Sequence, residues 1–477
     1  MLLRRFAVAV LFIHFGFSAA AQTVAPPAAS APPPATPAAA ELETNPGAAE
    51  PSPRPSSAEQ ASPSATHPDA AAKELEKVGQ PPAPAASMGA KGLTLQTEDK
   101  RFIFNVRFPF MFDAKATIDN DLPLGGDAFF PRFFGPIFSP TIYGVVTGKL
   151  IVGFQNRAVT VVTAWFDVAA HPLLHLRFGK LLYTISLERQ TLPLRTVMME
   201  HGIASALLPI SDFGAQVWGA SENSTFEYQL TLANGAPANQ HYEVDVDDKK
   251  DAIGRVYLRP LAATRIPALA GLGFGFGASN GTHQGNPSNP ATGTAATLGG
   301  RTFFSTRFNA TDPTATTIAD GRIYRLVPQA NYLAGPLSVY AEYVHVSEEL
   351  KTGSAQQHLE HASFHAVIAF VLTGENAVLL DIISPSKPFD IAEGSLGAFE
   401  LTGRYESFEV DADTFPLFAN PATAARRATT IGGGFNWIPT AIIRMAVNYE
   451  HATFQSALGA PELAPEHVAA LRVQALF

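Results

Sequence analysis

The sequence predicts an all-β protein, a transmembrane antiparallel β-barrel of about 16 strands preceded by a disordered Ala/Pro-rich linker. Three observations support this fold class. The last seven residues, Leu471 to Phe477, alternate apolar and polar side chains and end on Phe, as in the closing strand of an outer-membrane barrel. The first residues have the features of an export signal, and an apolar period of two recurs over most of the chain.

Residues 1–21 are predicted to be a cleaved secretory signal peptide. Arg4 and Arg5 precede an apolar run from Phe6 to Phe17, and small residues follow at 18–21. This run is too short for a confident membrane-spanning helix. We therefore expect an exported chain in the outer membrane of a Gram-negative bacterium.

Residues 22–92 are predicted to be a disordered periplasmic linker. The segment is rich in Ala, Pro and Ser, with its densest proline runs at 32–34 and 51–55. Such a composition cannot bury a core. The linker is expected to be a passive spacer, with contact to peptidoglycan as the alternative.

Residues 93–477 are predicted to form the barrel domain. The first long strand alternates from Phe102 to Asp113, and Pro109 predicts a bulge or a strand end within it because proline removes a ladder hydrogen bond. Loops at 279–300 and 309–321 are expected to be long and external, with short turns on the periplasmic side. Further strands are predicted at 141–154, 157–168, 172–181, 213–220, 225–233, 254–262, 268–279, 301–309, 322–329, 336–347, 361–372, 376–383, 397–410, 427–438, 441–451 and 467–477.

Composition excludes several functions. The chain has no Cys, which rules out disulfides, thiolate metal sites and a Cys nucleophile. Its net charge of −9 argues against nucleic acid as a partner. The 34 Phe residues suit many strands with an apolar outer face.

Four stretches of the barrel region together resemble the phosphate-selective porin O and P family. The first runs from Phe178-Gly179-Lys180 through Ser186-Leu187-Glu188-Arg189 to Met198-Met199-Glu200-His201. The others are Val371 to Glu375, Gly397 to Tyr405, and Gly434 to Trp437 with Asn448-Tyr449. This resemblance implies a sixteen-stranded general or anion-preferring porin that assembles as a homotrimer. The chain departs from the family pattern at Leu182 and His201, where basic residues are usual.

Alternation also predicts which charged residues line the channel. A charged side chain facing lipid at the membrane midplane costs ~2–4 kcal/mol, so the charged face of each strand should point to the lumen. Guanidinium groups there could bind phosphate or carboxylates, although acidic residues on the same face could instead pair with them. The pore-lining, anion-binding candidates are Arg101, Arg107, Arg177, Arg404, Arg444 and Arg472.

A loop folded inward is expected to make the constriction, and the irregular stretch 188–212 is the candidate. Its alternative interpretation is a solvated turn outside the barrel. The constriction-loop candidates are Glu188, Arg189, Arg195, Glu200 and His201.

We predict no enzyme, no cofactor and no metal site. His361 and His365 would share a strand face, but His358 and Glu360 would point the other way. The expected function is a porin for passive diffusion of small hydrophilic solutes, anions such as phosphate preferred. Its partners would be those solutes, outer-membrane lipid and lipopolysaccharide. The alternative is a structural protein that anchors the outer membrane to the cell wall through the linker.

Overall fold

The computed structural model describes residues 85–118, 128–155, 158–241, 245, 247–457 and 459–477. The predicted signal peptide and nearly all of the predicted linker lie outside these residues. Residues 85–92, at the end of the predicted linker, form a strand and the turn that follows it.

The described chain is a closed antiparallel barrel of sixteen strands, which confirms the predicted fold class. The strand bounds are β1 Ala85–Gly89, β2 Gly92–Gln96, β3 Phe102–Arg107, β4 Pro109–Thr117, β5 Ala128–Phe134, β6 Ile137–Ile142, β7 Val146–Gln155, β8 Ala158–His171, β9 Leu174–Leu182, β10 Ser211–Ala220, β11 Phe226–Ala233, β12 Asp251–Leu258, β13 Leu272–Gln284, β14 Thr294–Ala296, β15 Thr302–Ser305, β16 Thr317–Ala334, β17 Leu337–Thr352, β18 Ala355–Val371, β19 Ala398–Glu409, β20 Ala425–Thr440, β21 Ile443–Ser456 and β22 Glu466–Leu476.

Two of the barrel strands are each broken into a pair of segments. β3 and β4 continue one strand across Phe108, because Pro109 interrupts the ladder at the position where a break was predicted. β5 and β6 likewise continue one another across Gly135 and Pro136. The ring closes where β22 pairs with β4, with Arg472 opposite Asp113.

Each barrel strand has an apolar outer face and a polar inner face. On β21, for example, Met445, Val447 and Tyr449 point outward and are about half exposed, whereas Arg444 and Asn448 point inward and are buried. This is the period-two pattern of a barrel that lies in an apolar surrounding.

Two predicted barrel strands are absent from the barrel wall, and one barrel strand was not predicted. The stretch 301–309 is not a barrel strand, because β15 pairs only with β14 in a hairpin inside the barrel. The stretch 376–383 contains no strand. A barrel strand was missed at 128–142, where Pro131, Pro136 and Pro140 interrupt the pattern that identifies strands.

A hairpin lies beside the closure of the barrel. β2 pairs with the edge of β3, next to the point where the last strand ends at Phe477. We call the end of the barrel that holds Phe477 the turn end and the opposite end the loop end. Within the described residues, no helix is long and apolar enough to cross a membrane.

Candidate functional site

The connection 183–210 between β9 and β10 folds into the barrel and crosses its interior; we call it the inward loop. Most of its residues are buried, including a 3₁₀ helix at Ile203–Leu207. Its apolar side chains Leu192 and Leu194 pack against Met111, Phe133 and Ile151 of the wall. The loop, which includes most of the stretch 188–212, therefore lies within the lumen.

The first turn of the inward loop is held by the wall residue Glu342. The Glu342 carboxylate accepts hydrogen bonds from Ser186 Oγ at 2.9 Å and from the backbone N–H groups of Leu187 and Glu188. The Glu188 carboxylate in turn accepts from the backbone N–H of Gly202 at 2.9 Å and from the Tyr340 hydroxyl at 3.2 Å. Glu188 thus joins the first turn of the loop to the residue that precedes its 3₁₀ helix.

Three of the predicted pore-lining arginines hold the backbone of the inward loop. Arg404 donates to the carbonyl oxygen of Glu200 at 2.6 Å. Arg444 donates to the carbonyl oxygen of Thr196 at 2.6 Å. Arg472 donates to the carbonyl oxygen of Met199. All three side chains are at most 4% exposed, so their charge is directed at protein oxygens.

Carboxylates neutralise two of these three arginines. Arg472 forms a two-bond ion pair with Asp113, 2.8 Å for each bond, and also contacts Glu200. Arg404 pairs with Glu406 at 3.2 Å and with Glu450.

Arg444 differs from the other two. Besides loop carbonyls, Arg444 donates to the Gln474 side chain at 2.9 Å, and no carboxylate of the described residues makes an ion pair with it. Its neighbours in direct contact are therefore neutral oxygens. Carboxylates act on the Arg444 charge only at longer range, from Glu400 and Asp113.

The remaining constriction-loop candidates also have protein partners. Arg189 donates to the Ser205 carbonyl oxygen at 2.7 Å and to Asn239 at 2.8 Å. Glu200 accepts two hydrogen bonds of 2.7 Å from Arg132 of β5, a contact that sequence reasoning missed because this strand was not predicted. His201 Nε2 lies 2.9 Å from the Thr191 carbonyl oxygen.

The other predicted pore-lining arginines lie in two environments. Arg177 is buried between the rings of Trp165 and Trp218, with its Nε 3.2 Å from Asp167. Arg101 is exposed and pairs with Asp99, outside the strands. Arg107 lies near the turn end, where its Nε donates to the Lys91 carbonyl oxygen at 3.3 Å.

A second inward element comes from the loop end. The hairpin of β14 and β15, here the capping hairpin (294–305), buries Phe303 and Phe304 against Phe408 and Phe454 of the wall. Lys115 donates to the Leu298 carbonyl oxygen at 2.7 Å, which ties the hairpin tip to the opposite side of the barrel.

A third inward element comes from the turn end. The connection 372–397 between β18 and β19, here the lower connection, places Leu380 in an apolar cluster with Leu187 and Met198 of the inward loop and Tyr340 of the wall. Sequence reasoning expected only short turns at this end and assigned 376–383 to the barrel. The apolar residues of 376–383 that suggested a barrel strand instead include Leu380, which packs inside the lumen.

Two cavities border the inward elements. A small cavity of about 40 Å³ lies between the inward loop and the capping hairpin, lined by polar residues that include Glu200, His201 and Glu450. A cleft of about 680 Å³ with a mixed polar and apolar lining opens at the loop end, bordered by residues 305–309, Pro416, Leu417 and others.

The groups considered for metal or catalytic chemistry lie in ordinary wall positions. His361 and His365 point inward towards Glu348 and Glu342, while His358 points outward and is exposed. In the described residues, no group of His and acidic side chains could hold a metal ion. Gly277 to Gly281 has the Gly-x-Ser-x-Gly spacing of a nucleophile turn, but it lies within β13 and no helix follows it directly.

Comparison with known proteins identifies the family. A family model described as phosphate-selective porin O and P matches residues 156–477. The chain belongs to the phosphate-selective porin O and P family. This confirms the resemblance drawn from the sequence and makes the protein an outer-membrane channel protein.

Solved structures of outer-membrane channels share the fold of this porin. The channel DcaP of Acinetobacter baumannii matches with a TM-score of 0.51 and 11% identity, covering 80% of this chain and 99% of that one. OmpF of Salmonella typhi, solved with daunomycin, matches with a TM-score of 0.50 and 10% identity, covering 80% and 100%. No curated protein matches this porin.

The two departures from the family pattern lie in or beside the inward loop of this porin. Leu182, at the end of β9, is buried. His201 contributes to the lining of the small cavity.

Proposed function

We propose that this porin is a narrow passive-diffusion channel for small hydrophilic solutes, with a preference for small anions such as phosphate. The observation that carries the proposal is Arg444, whose guanidinium group lies beside the inward loop with only neutral oxygens in hydrogen-bond contact. Because Arg404 and Arg472 are matched by carboxylates, Arg444 contributes most of the unbalanced positive charge among these three.

The burial of the inward elements supports a narrow passage. The inward loop, the capping hairpin and the lower connection each place buried side chains within the barrel. Barrels of this size otherwise leave an aqueous channel. We therefore expect a single-channel conductance well below that of an open sixteen-stranded pore.

The test is single-channel recording of the purified mature protein in a planar bilayer under a KCl gradient. The proposal is supported if the reversal potential of the unmodified protein shows anion selectivity and if this selectivity is lower in Arg444→Gln. Arg427→Gln is the control, because Arg427 is exposed near the loop end and pairs with Glu409. A cation-selective reversal potential in the unmodified protein contradicts the anion preference.

A second candidate function is a structural outer-membrane protein that anchors to the cell wall through its N-terminal segment. The observation that favours it is the filled interior, since an anchor needs no conducting lumen. A folded barrel that gives no conductance, together with mature protein that co-sediments with cell-wall sacculi, would support this function over the channel.

Assembly as a homotrimer is part of the proposal. It rests on the resemblance to the phosphate-selective porin O and P family, which implies a homotrimer. Cross-linking of the protein in outer-membrane vesicles should give a trimer as the largest species, and a monomer at all cross-linker concentrations would contradict it.

A further inference from the structure

The lower connection is longer than its anchoring strands require. β18 and β19 remain paired to the end, with Val371 opposite Glu400, and the Leu372 N–H donates to the Phe399 carbonyl oxygen at 2.7 Å. A short turn could therefore join the two strands. The extra residues instead enter the lumen, and this suggests a role in the passage itself.

The backbone at Leu380 shows that this inward position is specific. Leu380 has a φ of +50°, in the left-handed region that is unfavourable for a non-glycine residue. Its side chain is only 5% exposed because it packs against Leu187, Val197 and Met198 of the inward loop. The apolar contact offsets the backbone cost and holds the lower connection against the constriction.

A charged contact lies next to this apolar one. Arg195 of the inward loop and Asp381 of the lower connection form an ion pair of 2.7 Å. The Asp381 side chain is 38% exposed, so it also meets solvent. Arg107 of β3 lies close enough to Arg195 and Asp381 for the three charges to interact.

These three residues give the turn end of the lumen an excess of positive charge. Arg107 and Arg195 supply two guanidinium groups, and Asp381 is the carboxylate that acts on both. Charges in a narrow, partly desolvated passage act on ions more strongly than charges in bulk water. A solute that leaves the constriction beside the lower connection meets this group of charges.

We propose that Asp381 is a selectivity-determining residue of the channel, which limits anion preference at the turn end by offsetting Arg195 and Arg107. This inference rests on the proposed function, because it requires that the barrel conducts. It assigns to the lower connection a second constriction, separate from the contacts of Arg404, Arg444 and Arg472. The ions concerned are small inorganic anions and their competing cations.

The test compares reversal potentials of full-length mature variants under a KCl gradient. Asp381→Asn removes the carboxylate, and Arg195→Gln removes a guanidinium group. We expect Asp381→Asn to raise the ratio of chloride to potassium permeability about twofold or more and Arg195→Gln to lower it by a similar factor. Glu393→Gln is the matched control, because Glu393 is an exposed acidic residue of the same connection.

The expected changes in permeability ratio have opposite signs in Asp381→Asn and Arg195→Gln. This distinguishes an effect of charge from a loosening of the lower connection. Both variants break the same ion pair, so a purely structural role would change conductance in the same way for both. Shifts of the same sign, or an Asp381→Asn value equal to that of Glu393→Gln, would overturn the inference alone. A folded unmodified barrel without any conductance would overturn the proposed function and this inference with it.

Discussion

At the scale of single residues, the inward arginines show what alternation can and cannot predict. The period of two indicates that the side chains of Arg404, Arg444 and Arg472 share the polar face of their strands. It does not reveal the carbonyl oxygens that they bind, because those lie in the inward loop, more than 200 residues away in sequence for each. Free in water, a guanidinium group binds anions, whereas here its donors bind loop carbonyls and carboxylates.

Removal of Arg472 should destabilise the barrel strongly. Arg472→Gln leaves Asp113 and Glu200 buried with less compensation, and breaking such a buried pair costs about 3–5 kcal/mol. The measurement is urea-induced unfolding of the protein refolded into lipid vesicles, followed by tryptophan fluorescence.

The control for this prediction is Arg427→Gln. The ion pair of Arg427 with Glu409 is about half exposed, and exposed pairs contribute about 1 kcal/mol or less. Equal losses of stability in the two variants would mean that the Arg472 pair holds neither the barrel closure nor the inward loop.

At the scale of elements, the sequence predicts barrel strands well. It cannot tell whether a short alternating segment belongs to the barrel wall or packs inside the lumen. The stretches 301–309 and 376–383 have the alternation of barrel strands, yet both pack inside the lumen. Their apolar residues contact an interior created by the rest of the barrel, which local pattern does not describe. Proline produces the opposite error at 128–142, where a barrel strand was not predicted because its prolines interrupt the alternating pattern.

The capping hairpin should control access to the constriction. Phe303 is fully buried between Phe408 and Phe454, and truncating a buried Phe costs about 3–5 kcal/mol. Phe303→Ala should therefore loosen the hairpin and increase single-channel conductance or its open-state fluctuations. Planar-bilayer recording measures both.

Phe308→Ala provides the comparison within the same connection. Phe308 follows the hairpin and is 55% exposed, so its truncation removes little packing. Recordings of Phe308→Ala should match those of the unmodified protein. If Phe303→Ala also matches it, the hairpin does not limit the passage.

At the scale of the whole molecule, closure of the barrel needs only residues from the first hairpin onward. β4 and β22 complete the ring, and β2 occupies the free edge of β3 beside Phe477. These contacts all lie within residues 85–477. Residues 22–84 have the composition of a chain that cannot bury a core of its own.

A mature chain that begins at Ala85 should therefore fold and conduct like one that begins at Gln22, because every strand pairing of the ring is retained. The measurements are the heat-dependent shift in electrophoretic mobility that reports a folded barrel, and single-channel conductance. A second truncation that begins at Arg101 removes β1 and β2 as well and exposes the edge of β3. That variant should fold less completely. Loss of folding or conductance in the Ala85 chain itself would show that the N-terminal segment takes part in the channel.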